Sequence, residues 1–111
     1  AEPFIQPVLD VEVPRMAFGR VAIMGDAAFA ARPHAAAGTA KAAADAWALA
    51  DALRSADGDV TTALAKWEPG RLELGRSLLE RVREMGRKYQ VDSTADPADR
   101  SLRFGLYGPD Q

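Results

Sequence analysis

The sequence predicts a mostly helical α+β fold in which two short strands precede a long helical hairpin. Three observations support this prediction. Two short apolar runs lie near the N-terminus, a proline-free and alanine-rich segment extends from about Ala36 to Ala56, and apolar residues recur at three- and four-residue spacing after Asp59. At 111 residues the chain has room for one domain at most.

Two strands are predicted before the helices. The first covers Val8 to Val13 between two prolines, which favours a position near the edge of a sheet. A turn is expected from Arg15 to Gly19. The segment from Arg20 to Met24 contains a continuous apolar run, which predicts a strand that is covered on both faces and is the more buried of the two.

The two helices follow as a hairpin. Asp57-Gly58-Asp59 ends the first helix, and Asp59 is a suitable N-cap for the second. Pro69-Gly70 lies inside the second helical pattern, where proline removes an amide donor, so a break or kink is expected there. Trp47 and Trp67 are interpreted as packing residues. The apolar positions of the second helix are Val60, Leu64, Trp67, Leu78, Val82, Met85 and Tyr89.

The last part of the chain differs from the helices. Basic residues of the second helix alternate with Glu80 and Glu84, which predicts a solvated, salt-bridged face. Beyond Gln90 the apolar pattern ends, and a mobile tail is expected that docks through aromatic and apolar side chains. The basic residues are Arg76, Arg81, Arg83, Arg87 and Lys88, and the docking residues are Phe104, Leu106 and Tyr107.

Composition limits the function. The 14 basic and 16 acidic residues give a net charge of −2, which provides no basic field for nucleic acid. Because the chain has no cysteine, it has no disulfide, no thiolate nucleophile and no zinc-cysteine site, which suits the cytoplasm. Its apolar runs are far shorter than the roughly 18 to 20 residues of a membrane span, and Ala1-Glu2-Pro3 does not resemble a signal peptide. We expect neither a metal site nor a membrane.

Most of the functional information lies in "GDAAFAARPHAAAG", from Gly25 to Gly38. A carboxylate, Asp26, follows a predicted strand, and Gly38 opens a long helix whose first amides carry partial positive charge. Alanines between them leave the backbone open. A flat, partly anionic ligand fits against this backbone, and its hydroxyl groups can donate hydrogen bonds to Asp26.

The segment "GRVAIMGDAAFAARPHAAAGTAKAAADAWALADAL", roughly Gly19 to Leu53, resembles the second flavin-binding motif of single-component FAD-dependent aromatic hydroxylases, the para-hydroxybenzoate hydroxylase-like superfamily. Within this motif, the sequence Arg-Pro-His followed by three alanines and a glycine resembles the variant found in the 2,6-dihydroxypyridine hydroxylase-like branch. Asp45-Ala46 matches a later Asp-Ala of the motif. Trp67-Glu68-x-x-Arg71 resembles the aromatic-Glu-x-x-Arg element that follows in the family.

The resemblance implies FAD as cofactor, with Gly25 and Asp26 at the ribityl chain and Pro33 beside the isoalloxazine. The backbone of Gly38, Thr39 and Ala40 would face the flavin pyrimidine oxygen. His34, the only histidine, is a candidate catalytic residue for proton handling, although a lone histidine is more often a loop or packing residue. Arg32 either neutralises an anionic substrate or is simply solvated.

The resemblance has two departures. Phe29 stands where many relatives have His, and Ala40 where many have Asn, so those side-chain contacts do not carry over. The family's N-terminal Gly-x-Gly-x-x-Gly, which receives the ADP part of FAD, is missing, as is its middle motif. We therefore expect the C-terminal part of a larger flavoprotein.

This interpretation divides the chain into strands and a Gly-Asp flavin loop (1–35), a helical hairpin that completes the FAD-binding domain (36–90) and a tail (91–111). The expected partners are the remaining N-terminal part of the flavoprotein, NAD(P)H, a small aromatic substrate and, as an open alternative, a second copy in a homodimer. The isolated chain is expected to be inactive. Two other functions remain open: a non-catalytic helical-hairpin interaction module, and a halogenase or epoxidase of the same superfamily.

Overall fold

The computed structural model describes residues 1–33, 36–92 and 98. Two long helices dominate this part of the chain, and short strands precede them. In chain order the elements are β1 (Val11–Glu12), β2 (Ala17–Phe18), β3 (Val21–Ala22), a 3-10 helix (Gly25–Ala27), β4 (Phe29–Ala30), α1 (Gly38–Ser55), α2 (Val60–Gly86) and a π-helical turn (Arg87–Val91). The mostly helical prediction is confirmed, with four very short strands instead of two.

The strands form two separate antiparallel pairs. β1 pairs with β4, with Val11 opposite Ala30, and β2 pairs with β3, with Ala17 opposite Ala22. The turn predicted from Arg15 to Gly19 is therefore wrong, since its second half is strand β2. The chain reverses at Gly19 and Arg20 instead, and Gly19 has a φ of +66°, a conformation that glycine adopts without strain.

The strand predicted from Arg20 to Met24 is shorter and less buried than expected. Only Val21–Ala22 is strand, and the Val21 side chain is 63% exposed. β3 pairs with β2 alone, and the exposure of Val21 means that no described element covers its outer face. A continuous apolar run indicates that burial of the strand is favourable, but it does not indicate which other element packs against that strand.

Both helices lie close to their predicted positions. Asp59 caps α2 as expected, since its Oδ1 accepts a hydrogen bond from the Thr62 amide at 3.2 Å. Of the two outcomes predicted at Pro69, a break or a kink, the break does not occur, because α2 continues through this residue. An internal proline costs a helix about 3 kcal/mol. Trp67 and Leu74 are buried on either side of Pro69, and this packing holds the helix together.

The core lies between one face of α2 and the elements before it. Trp67 is buried as predicted, whereas Trp47 is 74% exposed and is not a packing residue within the described chain; Tyr89 is also exposed. At the centre, the Phe29 ring lies against α2 where a Cβ on Gly75 would collide with it. Buried residues of the main cluster are Met16, Ala17, Ala28, Phe29, Leu64, Trp67 and Leu79.

Replacing Gly75 with Ala is expected to destabilise the protein, because the added methyl group displaces the Phe29 ring. Overpacking of this kind costs about 1 to 3 kcal/mol. Gly70→Ala is the matched control, since it lies in the same helix with no atom within 4 Å of the new Cβ. That change is expected to stabilise the helix by roughly 0.5 to 1 kcal/mol. Denaturant unfolding of both variants measures the difference; a Gly75→Ala variant as stable as Gly70→Ala would contradict this packing.

Candidate functional site

A cleft of about 550 Å³ opens where the loop after β4 meets the start of α1 and one face of α2. Asp26, Pro33, Gly38 and Thr39, four of the predicted site residues, line it together. Gly25 and Ala40 are not among its lining residues, and His34 lies outside the described residues. The remaining lining residues are Ala31, Arg32, Ala36, Ala37, Ala42, Leu78 and Val82.

Gly25 and Asp26 begin the short 3-10 helix at one wall of the cleft. Gly25 is buried with a φ of +61°, and a Cβ there would lie 3.4 Å from the Cβ of Ala42. Glycine thus permits both the left-handed backbone and the close approach of α1. The Asp26 side chain that follows is exposed and lines the cleft, so its carboxylate is available to a ligand.

The N-terminus of α1 forms the opposite wall. Its N-cap residue, Ala37, contributes no side-chain hydrogen bond, and the first turn contains no acidic residue. Gly38 and Thr39 line the cleft, so the first amides of the helix, which no N-cap side chain engages and which carry the positive end of the helix dipole, lie at the cleft. Such a terminus binds an anion or a polarised oxygen when a ligand supplies one.

A buried ion pair fixes α1 one turn further on. Lys41 and Asp45 are 1% and 0% exposed, and Lys41 Nζ lies 2.6 Å from Asp45 Oδ2. The Lys41 ammonium also lies 4.9 Å from the centre of the Phe29 ring, a cation–π distance. Alanine-rich helices offer little packing area, and both partners of this pair belong to α1, so the contact between Lys41 and Phe29 is what links this turn of the helix to the core.

The Trp67-Glu68-x-x-Arg71 element of α2 connects the other elements to one another. Trp67 Nε1 donates a hydrogen bond to the backbone oxygen of Asp45 at 2.9 Å, and Arg71 Nη1 lies 3.7 Å from Asp45 Oδ1. Glu68 Oε2 accepts hydrogen bonds from the amides of Ala17 at 2.6 Å and Met16 at 2.8 Å. The sequence pattern identified this element, but its role as the contact between α2, α1 and the β2–β3 hairpin is visible only in the structure.

Asp10, which sequence analysis did not single out, ties the cleft loop to α2. Its Oδ1 accepts hydrogen bonds from the Arg32 amide at 3.1 Å and from Arg32 Nε at 3.2 Å, and its Oδ2 accepts one from Arg83 Nε at 3.2 Å. Partial burial acts to raise the pKa of Asp10, but these donors and the Arg32 charge outweigh it and lower the pKa.

The basic face of α2 is thus only partly as predicted. Lys88 pairs with Glu84 along the helix, as the alternation of charges suggests. Arg83 instead reaches back to Asp10 and to Glu12 of β1. The pairing depends on the tertiary fold, which is why helical spacing alone did not reveal it.

Within residues 1–33, 36–92 and 98, no three His, Asp or Glu side chains are grouped closely enough to hold a metal ion. No helix there combines the length and the apolar character that crossing a bilayer requires. The expected docking residues of the tail, Phe104, Leu106 and Tyr107, lie outside the described part.

Comparison with known proteins finds monooxygenases among the relatives of this chain. A 2,6-dihydroxypyridine 3-monooxygenase of Paenarthrobacter nicotinovorans is 40% identical over 106 residues, which is 96% of this chain and 26% of that protein. A 3-amino-4-hydroxybenzoate 2-monooxygenase of Streptomyces platensis is 40% identical over 73 residues, 66% of this chain and 18% of that protein. No family model matches the sequence.

The structural comparison agrees with these sequence matches. The structure of 2,6-dihydroxypyridine-3-hydroxylase from Arthrobacter nicotinovorans superposes with a TM-score of 0.83 and 39% identity, and covers 94% of this chain and 26% of that one. Almost the whole of this chain matches these two proteins, but it spans only about a quarter of their length.

Glu68→Gln is expected to lower the free energy of unfolding by about 1 to 3 kcal/mol at pH 7, because a neutral amide is a weaker acceptor for two backbone amides. The hydrogen bonds from Ala17 and Met16 lower the pKa of Glu68 in the folded protein. Its contribution is therefore complete above the ordinary glutamate pKa of about 4.3 and is lost as the pH falls through the lowered folded value.

Urea unfolding at a series of pH values measures this effect. Glu73→Gln, at an exposed position of the same helix, is the control and is expected to stay within about 0.5 kcal/mol of the unsubstituted protein. The interpretation of Glu68 would be contradicted by a stability difference that does not shrink on acidification below the ordinary pKa.

Proposed function

We propose that this chain, which belongs to the 2,6-dihydroxypyridine hydroxylase-like branch of the FAD-dependent aromatic hydroxylases, supplies the flavin-contacting part of a monooxygenase. In this proposal the complete enzyme hydroxylates an aromatic or N-heteroaromatic substrate with oxygen and NAD(P)H. The relatives named above are monooxygenases that act on a dihydroxypyridine and on an aminohydroxybenzoate, which supports this substrate class.

The observation that carries the proposal is the cleft in which an exposed carboxylate, Asp26, faces an N-terminus of α1 that no side chain caps. A flavin needs both features, since its ribityl hydroxyls are hydrogen-bond donors and its pyrimidine oxygen is an acceptor. The lining alanines and Pro33 leave room for a flat ring against the backbone, so these residues fit FAD.

The roles of the residues follow from this fit. FAD, when bound, supplies the redox and oxygen chemistry, and the protein positions and polarises it. Asp26 accepts hydrogen bonds from the ribityl chain, and the amides of Gly38 to Ala40 stabilise negative charge on the pyrimidine side. Pro33 would lie against the ring, and His34, the next residue in the sequence, is proposed to handle protons near neutral pH.

The chain is proposed to complete the FAD-binding domain of a longer protein, whose other part receives the ADP moiety. Large apolar side chains that lie open to solvent in the described chain support this idea, since a single-domain protein normally buries most of them. The segment before β1 contributes four of them, and the strands and helices contribute the others. The exposed residues are Phe4, Ile5, Val8, Leu9, Val11, Phe18, Val21, Trp47 and Tyr89. The same exposure leads us to expect that the isolated chain is inactive and self-associates.

Asp26→Ala in the complete enzyme is expected to weaken FAD binding by about 1 to 3 kcal/mol, because ribityl hydroxyls lose a charged acceptor. Equilibrium dialysis or fluorescence titration of FAD with the apoprotein measures the change. Asp57→Asn is the control: Asp57 is exposed in the turn between the helices with a φ of 49°, which Asn also tolerates. Equal FAD affinity in the Asp26→Ala and unsubstituted proteins would refute the assigned role.

Thr39→Pro removes one amide from the first turn of α1 and is expected to lower the flavin midpoint potential. A helix-end interaction of about 0.3 to 2 kcal/mol corresponds to a shift of roughly 10 to 40 mV for a two-electron couple. Thr61→Pro is the matched control, because Thr61 holds the same second position of α2. Proline is tolerated in the first turn of a helix, which limits the disturbance in both variants.

Spectroelectrochemical titration of proteins with equal FAD occupancy gives the potentials. The predicted pattern is a lower potential in Thr39→Pro and an unchanged one in Thr61→Pro. An unchanged or higher potential in Thr39→Pro would mean that these amides do not face the flavin, and the proposed site would then depend on Asp26 and Pro33.

A further inference from the structure

Arg32 differs from every other residue that lines the cleft. It is the only cationic side chain among the described lining residues, and Asp26 is the only acidic one. The other walls are apolar, with Leu78 and Val82 of α2 opposite the loop. Apolar walls with one guanidinium favour an apolar ligand that places an anionic oxygen at Arg32, while the Asp26 carboxylate is left to hydrogen-bond donors of a ligand.

Asp10 holds the Arg32 guanidinium in place through one nitrogen, Nε. Asp10 Oδ1 accepts a hydrogen bond from Arg32 Nε. The two terminal nitrogens of Arg32 make no hydrogen bond to Asp10. The Arg32 side chain remains 30% exposed, compared with 14% for Asp10. A guanidinium fixed through Nε presents its terminal N–H groups as a planar fork, the geometry that matches a carboxylate or phenolate.

The charges around Asp10 leave Arg32 incompletely neutralised. The Asp10 carboxylate is shared between two cations, since its other oxygen accepts from Arg83 Nε. Arg83 also lies 3.5 Å from Glu12, so it has a second acidic neighbour. Arg83 does not line the cleft. The positive charge available to a ligand there therefore comes from Arg32.

We infer that Arg32, positioned by Asp10, is the anion-recognising residue of the cleft and pairs with an anionic oxygen of a planar aromatic ligand. Two ligands of the proposed enzyme have this chemistry: an acidic aromatic substrate, and the pyrimidine side of the reduced flavin. The inference rests on the proposed function, because it takes the cleft to be a flavin and substrate site. Asp10 is a positioning residue in this scheme.

The test uses the complete enzyme with FAD bound, and it begins with the FAD content of the unsubstituted protein. Sodium benzoate and benzamide serve as probes, because they share a planar ring and differ in charge at neutral pH. Each is titrated while the flavin absorbance is followed, and the flavin midpoint potential is then measured without any aromatic ligand. Arg32→Gln is compared with Arg83→Gln as a control. Both changes remove a cation that pairs with Asp10, but only Arg32→Gln removes a charge from the cleft.

If the substrate is the anion, Arg32→Gln raises the Kd for benzoate by roughly tenfold or more and leaves that for benzamide unchanged. If the reduced flavin is the anion, benzoate binding stays the same and the midpoint potential falls in Arg32→Gln only. Either result supports the inference and identifies the source of the charge. Arg32→Lys, which keeps the charge but loses the planar fork, is expected to give a smaller effect of the same sign.

The inference is overturned if neither benzoate affinity nor potential changes in Arg32→Gln, or if Arg83→Gln gives the same change. Asp10→Asn supplies a second line of evidence: it should change whichever quantity responds to Arg32→Gln, the benzoate Kd or the midpoint potential, in the same direction and by a smaller factor, and an effect confined to thermal stability would count against positioning. An unsubstituted enzyme that holds no FAD would instead contradict the proposed function itself, so the two failures are distinguishable.

Discussion

The described structure depends on how α2 holds Asp45 of α1. The Asp45 carboxylate is fully buried against Lys41, its Oδ1 has no hydrogen-bond partner among the described residues, and the Arg71 guanidinium lies 3.7 Å from that oxygen. The backbone oxygen of the same residue accepts from Trp67. Removing one partner of a buried pair typically costs about 3 to 5 kcal/mol. Lys41 belongs to the same helix as Asp45, so the contacts that fix the rotation of α1 about its own axis are those that Trp67 and Arg71 of α2 make with Asp45. The consequence at the other end of α1 is a defined direction for its first amides.

The same segment of α2 positions the rest of the cleft. Glu68 holds the β2–β3 hairpin, and Gly75 allows Phe29 of β4 to lie against the helix, so the chain before the cleft loop is fixed on both sides. Asp10 then ties the loop itself to α2 through Arg83. Apolar contact alone would leave small side chains free to slide, whereas directional hydrogen bonds to charged groups specify one arrangement. The proposed flavin and substrate contacts all depend on that arrangement.

Local signals in the sequence predicted the helices well and the strands less well. Alanine-rich composition, the Asp59 cap and the regular apolar spacing are properties of nearby residues, and they place both ends of α1 and the start of α2 within about two residues of the observed ones. The second helix was predicted to reach Gln90, whereas α2 ends at Gly86 and a π-helical turn follows it. The exposure of Trp47 and Val21 was not predictable, because burial depends on which other elements are present. At the site, the motif gave Asp26, Pro33, Gly38 and Thr39, which the cleft brings together. Asp10 and Gly75 were missed because their roles come from contacts with residues far away in the sequence, and only the collision at Gly75 or the shared carboxylate of Asp10 reveals them.

Amide hydrogen exchange of the complete enzyme with and without FAD tests most directly whether Asp26 and the start of α1 face a flavin. We expect FAD to slow exchange at Gly38, Thr39 and Ala40 and around Asp26. Residues 60–62, at the equivalent start of α2, should exchange at the same rate in both states, because their terminus is capped by Asp59 and does not line the cleft. Exchange at the start of α1 that is unaffected by FAD, or slowed equally at both helix starts, would contradict the claim.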